Sequence, residues 1–336
     1  MPASRVAPGL EPLRRVAASA LSSLVLLAAC GGDSERQLSD TPVPLVTKSD
    51  VVRELRIVNY FLIYGDGEAQ YGPSLAEGKR RHGPLPRWLT RTLAKAEAAN
   101  CDSGSGETVE GRKQRSFEFF GVSRQVDYSI GTFAACRRTD VSGVDAVTMD
   151  GVLEDGESPS GEYSYLLAGD GRKPALMTFE QDGAVFHQGV RGLFEYRSTS
   201  TLYEQRQTAV FNFDHDAGSA ILGEFGSSGE PFIETDGGGR YTADGPYRYN
   251  STECEGGSVR LETVSPMVIS RGYPSGGTLR FTSGTASATV VIRSDNGATV
   301  YFADGSSASI TPAEMRELYD DLDTDCVRPR FPEQSS

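Results

Sequence analysis

The chain has 336 residues, with 33 Lys and Arg against 46 Asp and Glu, a formal net charge of −13, and glycine in excess at 38. The acidic balance argues against a nucleic-acid partner, because binding phosphates needs a basic patch. A hydrophobic fraction of 38% is enough for a sizeable core and excludes wholesale disorder, while three histidines leave little for a multi-histidine metal site.

Residues 1–29 read as an export signal. Arg5, Arg14 and Arg15 supply the positive region, and Val16 to Leu27 is an apolar and small-residue run too short for a permanent span. It closes on Leu27-Ala28-Ala29-Cys30, the pattern of a bacterial lipobox, which predicts cleavage before Cys30 and acylation of its thiol. Gly31, standing where Asp would retain the protein at the inner membrane, favours the outer membrane by analogy with Gram-negative sorting. Loss of three Arg and one Glu with the leader takes the net charge from −13 to −15. An anionic protein is repelled by an anionic lipid surface, so the membrane contact is expected through the acyl chains of Cys30. Residues 30–48, rich in Gly, Asp, Ser and Pro, read as a flexible tether that reaches about 20–25 Å as a random coil.

Next in the chain, residues 49–100 read as a helical segment packing on the β region. Val51, Val52, Leu55, Val58, Phe61 and Leu62 recur at helical spacing over 50–64, with Ser49 placed to cap the start and Gly65 the end. Continuous apolarity from Ile57 to Tyr64 leaves a strand as the alternative. A second helix is expected after Pro84 and Pro86, where Trp88, Leu89, Thr92, Leu93 and Ala96 share a face and Trp88 reads as a core residue.

From about residue 115 to 311 the period becomes two. Arg191 to Thr199, Ser258 to Val264 and Thr278 to Thr282 alternate as strands. Asp150-Gly151, Asp155-Gly156, Asp170-Gly171, Asp182-Gly183, Asp236-Gly237, Asp244-Gly245, Asn296-Gly297 and Asp304-Gly305 read as hairpin turns, since these residues tolerate positive φ. Strands recurring without intervening helical patterns leave no room for βαβ units. The fold class is therefore mainly β: antiparallel hairpins forming a sandwich or a curved, half-barrel sheet, with a helical segment before it. An integral outer-membrane barrel fits less well, because the strands are short and charged on both registers. Thr311-Pro312-Ala313-Glu314 is a capping box, and Met315, Leu318, Tyr319 and Leu322 give the short helix behind it an apolar face. The β-rich domain is bounded at 101–326, and 327–336 reads as a disordered tail. Cys101-Asp102-Ser103-Gly104 and Cys254-Glu255-Gly256-Gly257 suggest two halves of similar design, 101–205 and 206–326.

With Cys30 acylated, four cysteines remain in an oxidising compartment: Cys101, Cys136, Cys254 and Cys326. Two disulfides are implied, with Cys101–Cys136 and Cys254–Cys326 preferred of three connectivities because each pair stays within its own half.

The lipobox, the alanine-rich helix, Asn100-Cys101, Phe133-Ala134-Ala135-Cys136, a second cysteine-led β segment and Gly272-Tyr273-Pro274-Ser275-Gly276-Gly277-Thr278-Leu279 followed by Ala286-Ser287-Ala288 carry a resemblance. In that order they resemble a broad group of proteobacterial lipoproteins of unknown function, over most of 85–325. The resemblance implies consecutive strands after the Gly-Tyr-Pro turn and a closing short helix. It brings no activity and, because Asp295-Asn296-Gly297 and Asp304-Gly305 depart from Asp-x-Asp-x-x-Gly turns, no calcium role.

Chemistry-bearing patterns are few. Asp214-His215-Asp216 flanks a histidine with carboxylates, but adjacent strand residues point to opposite faces, so a surface turn is the better reading. His82 lies in a basic loop and His187 in a strand. No G-x-S-x-G is present, and Cys101 to Gly106 reads as a disulfide-adjacent loop. Asp321, Asp323 and Asp325 begin like a calcium loop, yet Cys326 stands where Gly is required and Pro332 where Glu is. Tyrosines 163, 165, 196, 203, 241, 247 and 249 fall in strands, as sheet packing or as a groove lining. No cofactor and no catalytic residue is expected. The sequence points to a non-enzymatic lipoprotein at the periplasmic face of the outer membrane with a binding or scaffolding role, its partner an envelope protein or an apolar ligand. A carrier of a lipid or other apolar ligand is the alternative, and an envelope hydrolase stands third.

Overall fold

The computed structural model describes residues 38–65, 101–139, 145–181, 183–215, 220–227, 229–270 and 273–320. Cys30, Trp88 and its helix, Cys326 and Asp321, Asp323 and Asp325 lie outside the described residues.

Helix α1 spans Lys48–Gly65. Its N-cap is Thr47 rather than Ser49: the Asp50 amide donates to Thr47 Oγ1 (3.2 Å) while the Thr47 amide donates to Asp50 Oδ2 (2.9 Å). The carboxylate three residues on decides this register, because it returns a hydrogen bond that Ser49 has no partner to match.

The strands are β1 (Ser103–Phe117), β2 (Val122–Arg138), β3 (Ala146–Glu157), β4 (Tyr163–Ala168), β5 (Ala175–Gln181), β6 (Ala184–Ser198), β7 (Leu202–His215) and β8 (Ala220–Phe225). Then come β9 (Phe232–Gly237), β10 (Arg240–Ser251), β11 (Gly257–Ser270), β12 (Tyr273–Ser283), β13 (Ala286–Ile292), β14 (Ala298–Phe302) and β15 (Ser307–Ile310). Helix α2 (Pro312–Asp320) comes last. The expected capping box forms, with the Thr311 amide donating to Glu314 Oε2 (2.8 Å) and the Glu314 amide to Thr311 Oγ1 (3.3 Å). Among the described residues no helix is long and apolar enough to cross a membrane.

All fifteen strands belong to one antiparallel sheet, in the order β1-β2-β3-β4-β6-β7-β8-β10-β11-β12-β13-β14-β15. Two rows of this path are each filled by two short strands laid end to end. β4 pairs the C-terminal half of β3 and β5 its N-terminal half, and β6 covers both from the other side. β8 and β9 stand in the same relation to β7 and β10.

This is a structural duplication with boundaries other than 101–205 and 206–326. One copy runs over 146–198 and the next over 202–251. The turns between the short strands match: Gly169 to Pro174 and Gly226 to Pro231 are equal in length. Each is closed by a backbone hydrogen bond, Asp170 N to Lys173 O (3.2 Å) in one and Ser227 N to Glu230 O (2.8 Å) in the other.

The long strands bend where they pass these turns. In β3, Gly151 adopts φ +103°, and a Cβ there would lie 3.1 Å from Ala175 Cα and Pro174 O. In β10, Gly245 adopts φ +144°, and a Cβ would lie 2.8 Å from Phe232 Cα. Asp150-Gly151, Asp155-Gly156 and Asp244-Gly245 are thus inside strands, not at hairpin tips. Glycine serves the close approach of a neighbouring backbone at the two bends and, at Gly156, room for the Tyr165 ring. Asp170-Gly171, Asn296-Gly297 and Asp304-Gly305 do mark turns.

One face of the sheet, from β2 to β15, contributes to a single apolar core together with Val51, Leu55, Ile57 and Val58 of α1 and Met315 and Leu318 of α2. The sheet therefore curls around α1. No residue of α1 from Asp50 to Asn59 is exposed, because strands and α2 cover it on several sides. The segment before α1 is also packed, which shortens the tether expected at 30–48. Val43 and Leu45 are buried, the Val43 amide donates to Ser283 Oγ (2.8 Å), and the Ser258 amide donates to Thr41 O (3.0 Å). Two apolar side chains spaced by two residues suffice to bind this otherwise polar stretch to the edge of the core.

Candidate functional site

Glu54 of α1 is a fully buried acidic group. Its position on the stripe with Val51, Leu55 and Val58 turns it toward the sheet. Tyr247 and Tyr249 of β10, two residues apart and therefore on one face, donate their hydroxyls to Glu54 Oε2 and Oε1 at 2.8 Å each. Arg53 Nε donates to Oε1 at 3.2 Å. Burial raises the Glu54 pKa above the usual carboxylate range, more than the tyrosine hydrogen bonds and the Arg53 charge lower it. The same burial, together with the Glu54 charge, raises both tyrosines. Around the carboxyl the aromatics close ranks: Phe225 stacks on Tyr247 at 5.4 Å and meets Phe232 edge-on at 5.0 Å. The node joins helix to sheet through a buried carboxyl, both of whose oxygens accept hydrogen bonds.

A second cluster lies on the opposite face, where the β1–β2 hairpin tip folds over β4 and β6. Phe117, Val126, Tyr163 and Tyr165 form a small separate core. Glu195, fully buried, accepts the Glu118 amide (2.8 Å) and the Phe119 amide (2.9 Å), which pins the tip. Burial raises its pKa against those two hydrogen bonds. Cations stack on the rings, with Arg115 3.7 Å above Tyr165, Arg124 5.0 Å from Tyr163 and Arg206 4.6 Å from Phe120. Lys113 Nζ pairs with Glu154 Oε1 at 2.5 Å, and Tyr165 Oη donates to the same oxygen at 2.7 Å. Burial raises the Glu154 pKa, but the Lys113 and Tyr165 hydrogen bonds outweigh it and hold the carboxyl below its ordinary value.

A third grouping crosses the outer face. His187 of β6 lies between Thr178 of β5 and Asp214 of β7 in register. Thr178 Oγ1 and His187 Nδ1 are 3.0 Å apart, and Asn212 Nδ2 donates to Asp214 Oδ2 at 2.8 Å. A hydroxyl, an imidazole and a carboxylate thus stand in a row across three neighbouring strands, with His187 exposed and Thr178 and Asp214 half-buried. The ladder pairing of β5, β6 and β7 engages the surrounding backbone, so no amide pair points at a spot where an oxyanion would sit. Register, and not local sequence, assembles this row. The sequence groups Asp214 with His215, yet its cross-strand neighbour is His187; the His215 side chain and Asp216 lie outside the described residues.

Of the cysteines, Cys101 and Cys136 form a disulfide with Cα atoms 5.2 Å apart, joining the start of β1 to the bulged end of β2. Cys254 is disulfide-bonded, and its expected partner Cys326 is outside the described residues. Among the strand tyrosines 163, 165, 196, 247 and 249 are buried and 203 and 241 half-buried. Glu54 and Glu195 are functional-looking groups that sequence reasoning misses. For Glu54 a signal exists, an acidic residue on an apolar helical stripe; for Glu195 there is none, because its partners are backbone amides of a distant hairpin. Among the described residues no three His, Cys, Asp or Glu side chains converge as a metal site. Comparison with family models, curated proteins and solved structures finds no match.

Proposed function

We propose that this chain is a non-catalytic lipoprotein, held at the periplasmic face of the outer membrane by acyl chains on Cys30, that binds or scaffolds an envelope protein. The observation that carries the reading is the occupied interior. The concave face of the sheet is taken up by α1, by the aromatic side chains of β7, β8 and β10, and by the Glu54 node. A lipid carrier needs a void lined by apolar side chains where these groups stand, so the carrier alternative draws no support from this core. The chemistry-bearing groupings also suit architecture. Glu54 and Glu195 each complete a buried hydrogen-bond set, and the backbone around the Thr178–His187–Asp214 row is engaged in strand pairing.

Binding would then belong to the outer surface. The resemblance to proteobacterial lipoproteins, the lipobox and the disulfides support the location. The test is in-cell photocrosslinking at exposed outer-face positions such as Tyr301 and Val264, each more than 40% exposed, combined with membrane fractionation of the Cys30→Ala variant. Discrete protein adducts, lost when Cys30→Ala releases the chain from the membrane, are expected. A turnover activity on envelope substrates, abolished by Thr178→Ala or His187→Ala, would contradict the reading.

A further inference from the structure

We propose that the far end of the β1–β2 hairpin, from Lys113 to Val126, is a strap that opens and closes as one unit on the outer face of the sheet, with Glu195 and Arg206 as its clasp. The strap concerns the hairpin alone and does not depend on the proposed function. Its pairing sets it apart. β2 pairs with β3 only as far as Asp127, opposite Glu157, so the register from Lys113 with Val126 to Phe117 with Val122 lies beyond the reach of β3. These five pairs form a two-stranded ribbon, and such a ribbon is marginally stable until it packs on something else. Gly111, at the foot of the ribbon opposite Tyr128, has no side chain to oppose bending there.

What the ribbon packs on is small and separate from the main core. Alternation divides its two faces: Gln114, Ser116, Ser123 and Gln125 are exposed, while Phe117 and Val126 are buried against Tyr163 and Tyr165 of β4. Phe117 meets Tyr163 at 5.4 Å and Tyr165 at 6.1 Å, and Phe120 meets Tyr163 edge-on at 5.8 Å. These residues form a cluster of their own, apart from the core that holds α1 and α2, so lifting the ribbon leaves that core in place. The Lys113–Glu154 ion pair and the stack of Arg115 on Tyr165 belong to the same contact and break with it.

The clasp grips main chain. Tyr165, Glu195 and Arg206 stand side by side in register across β4, β6 and β7. Glu195 accepts the amides of Glu118 and Phe119, and the Arg206 guanidinium donates to the Phe119 carbonyl while lying against the Phe120 ring. Three hydrogen bonds to two consecutive residues thus hold the tip, the end of the ribbon farthest from β3. Their loss frees the ribbon as a whole, because the remaining hold is the small aromatic cluster beneath it. Opening bares Tyr163, Tyr165, Glu195 and Arg206, and turns a covered part of the outer face into an aromatic surface carrying one anion and one cation. The strap therefore governs access to that surface.

Native-state hydrogen exchange of the full-length protein in low urea tests the strap. In the wild type the paired amides between Lys113 and Val126 are expected to share one opening, with a smaller urea dependence than the global unfolding reported by β10 to β12. Glu195→Gln removes one of the two carboxylate acceptors of the clasp. Phe120→Ala removes a ring that touches Tyr163 and Arg206 and leaves the three main-chain hydrogen bonds their partners. Each variant should speed exchange in the strap at least about tenfold and leave β10 to β12 at the wild-type rate. Strap amides that exchange in the wild type only through global unfolding, or that keep the wild-type rate in either variant, would overturn the proposal. So would an acceleration shared equally by β10 to β12, which marks a general loss of stability.

Discussion

Tyr249 on β10 donates its hydroxyl to Oε1 of Glu54 on α1 across 2.8 Å, and Tyr247 does the same to Oε2, so a single buried carboxyl ties the first described helix to the middle of the sheet. Tyr249→Phe deletes one of these bonds while leaving the ring in place. Leaving a buried carboxyl oxygen short of a hydrogen bond costs roughly 1–3 kcal/mol, which urea unfolding should register as a lower midpoint with little change in slope. Unfolding as stable as the wild type would mean that the Glu54 node does not hold α1 in place.

The same carboxyl makes stability depend on pH. Burial raises the Glu54 pKa in the folded state above that of the unfolded chain. Its contribution is therefore fully present below the ordinary carboxylate pKa and is lost as pH rises toward the raised value. Asp155 on β3 behaves alike, pushed up to about 6 by burial and by the neighbouring charges of Glu154, Glu110 and Glu157. For Asp155→Asn, thermal melts between pH 4 and 7 should show a flatter profile than the wild type. The variant gains on the order of 1–3 kcal/mol relative to wild type at pH 7, an upper range because Asp155 keeps some solvent contact. A profile as steep as the wild type would place the titration elsewhere.

Gly245 separates strand geometry from turn geometry. Its φ of +144° and the 2.8 Å approach of Phe232 Cα leave no space for a Cβ, whereas Gly305, at φ +84°, has open space around it. Gly245→Ala should cost at least about 2 kcal/mol from backbone displacement, and Gly305→Ala about 1 kcal/mol from the left-handed conformation alone. Comparable melting temperatures for the two variants would contradict a bend at Gly245.

The fold is legible in the residues wherever the signal is local. The alternation of Ser258 to Val264 and Thr278 to Thr282, the capping box at Thr311 and the stripe of α1 are such signals, and each element stands where its pattern puts it. The Asp-Gly dipeptides are ambiguous, because glycine serves a two-residue turn at Asp304-Gly305 and a mid-strand bend at Asp244-Gly245 for the same conformational reason. Only the pairing partner distinguishes them. The duplication of the broken rows is carried by the equal spacing of Gly169 to Pro174 and Gly226 to Pro231, and the two cysteine-led segments do not mark it. The Glu195 pocket and the Thr178–His187–Asp214 row have no local signature, since both arise from register between strands far apart in the chain.

The Cys101–Cys136 bond closes the base of the β1–β2 hairpin across a separation of 35 residues. In the chain-entropy model such a loop contributes about 4 kcal/mol. Replacing both cysteines by serine should lower the urea midpoint accordingly and should raise hydrogen exchange first at the β1 amides nearest residue 101. Unchanged stability would show that the hairpin is held by strand pairing alone.

Native mass spectrometry of the full-length protein purified from membranes bears most directly on the proposed function. The predicted species begins at Cys30, carries acyl chains on that residue, and holds no further lipid within the curved sheet. A chain beginning at Met1 with a free Cys30 thiol, or one bearing a noncovalently held lipid lost only on unfolding, would contradict it.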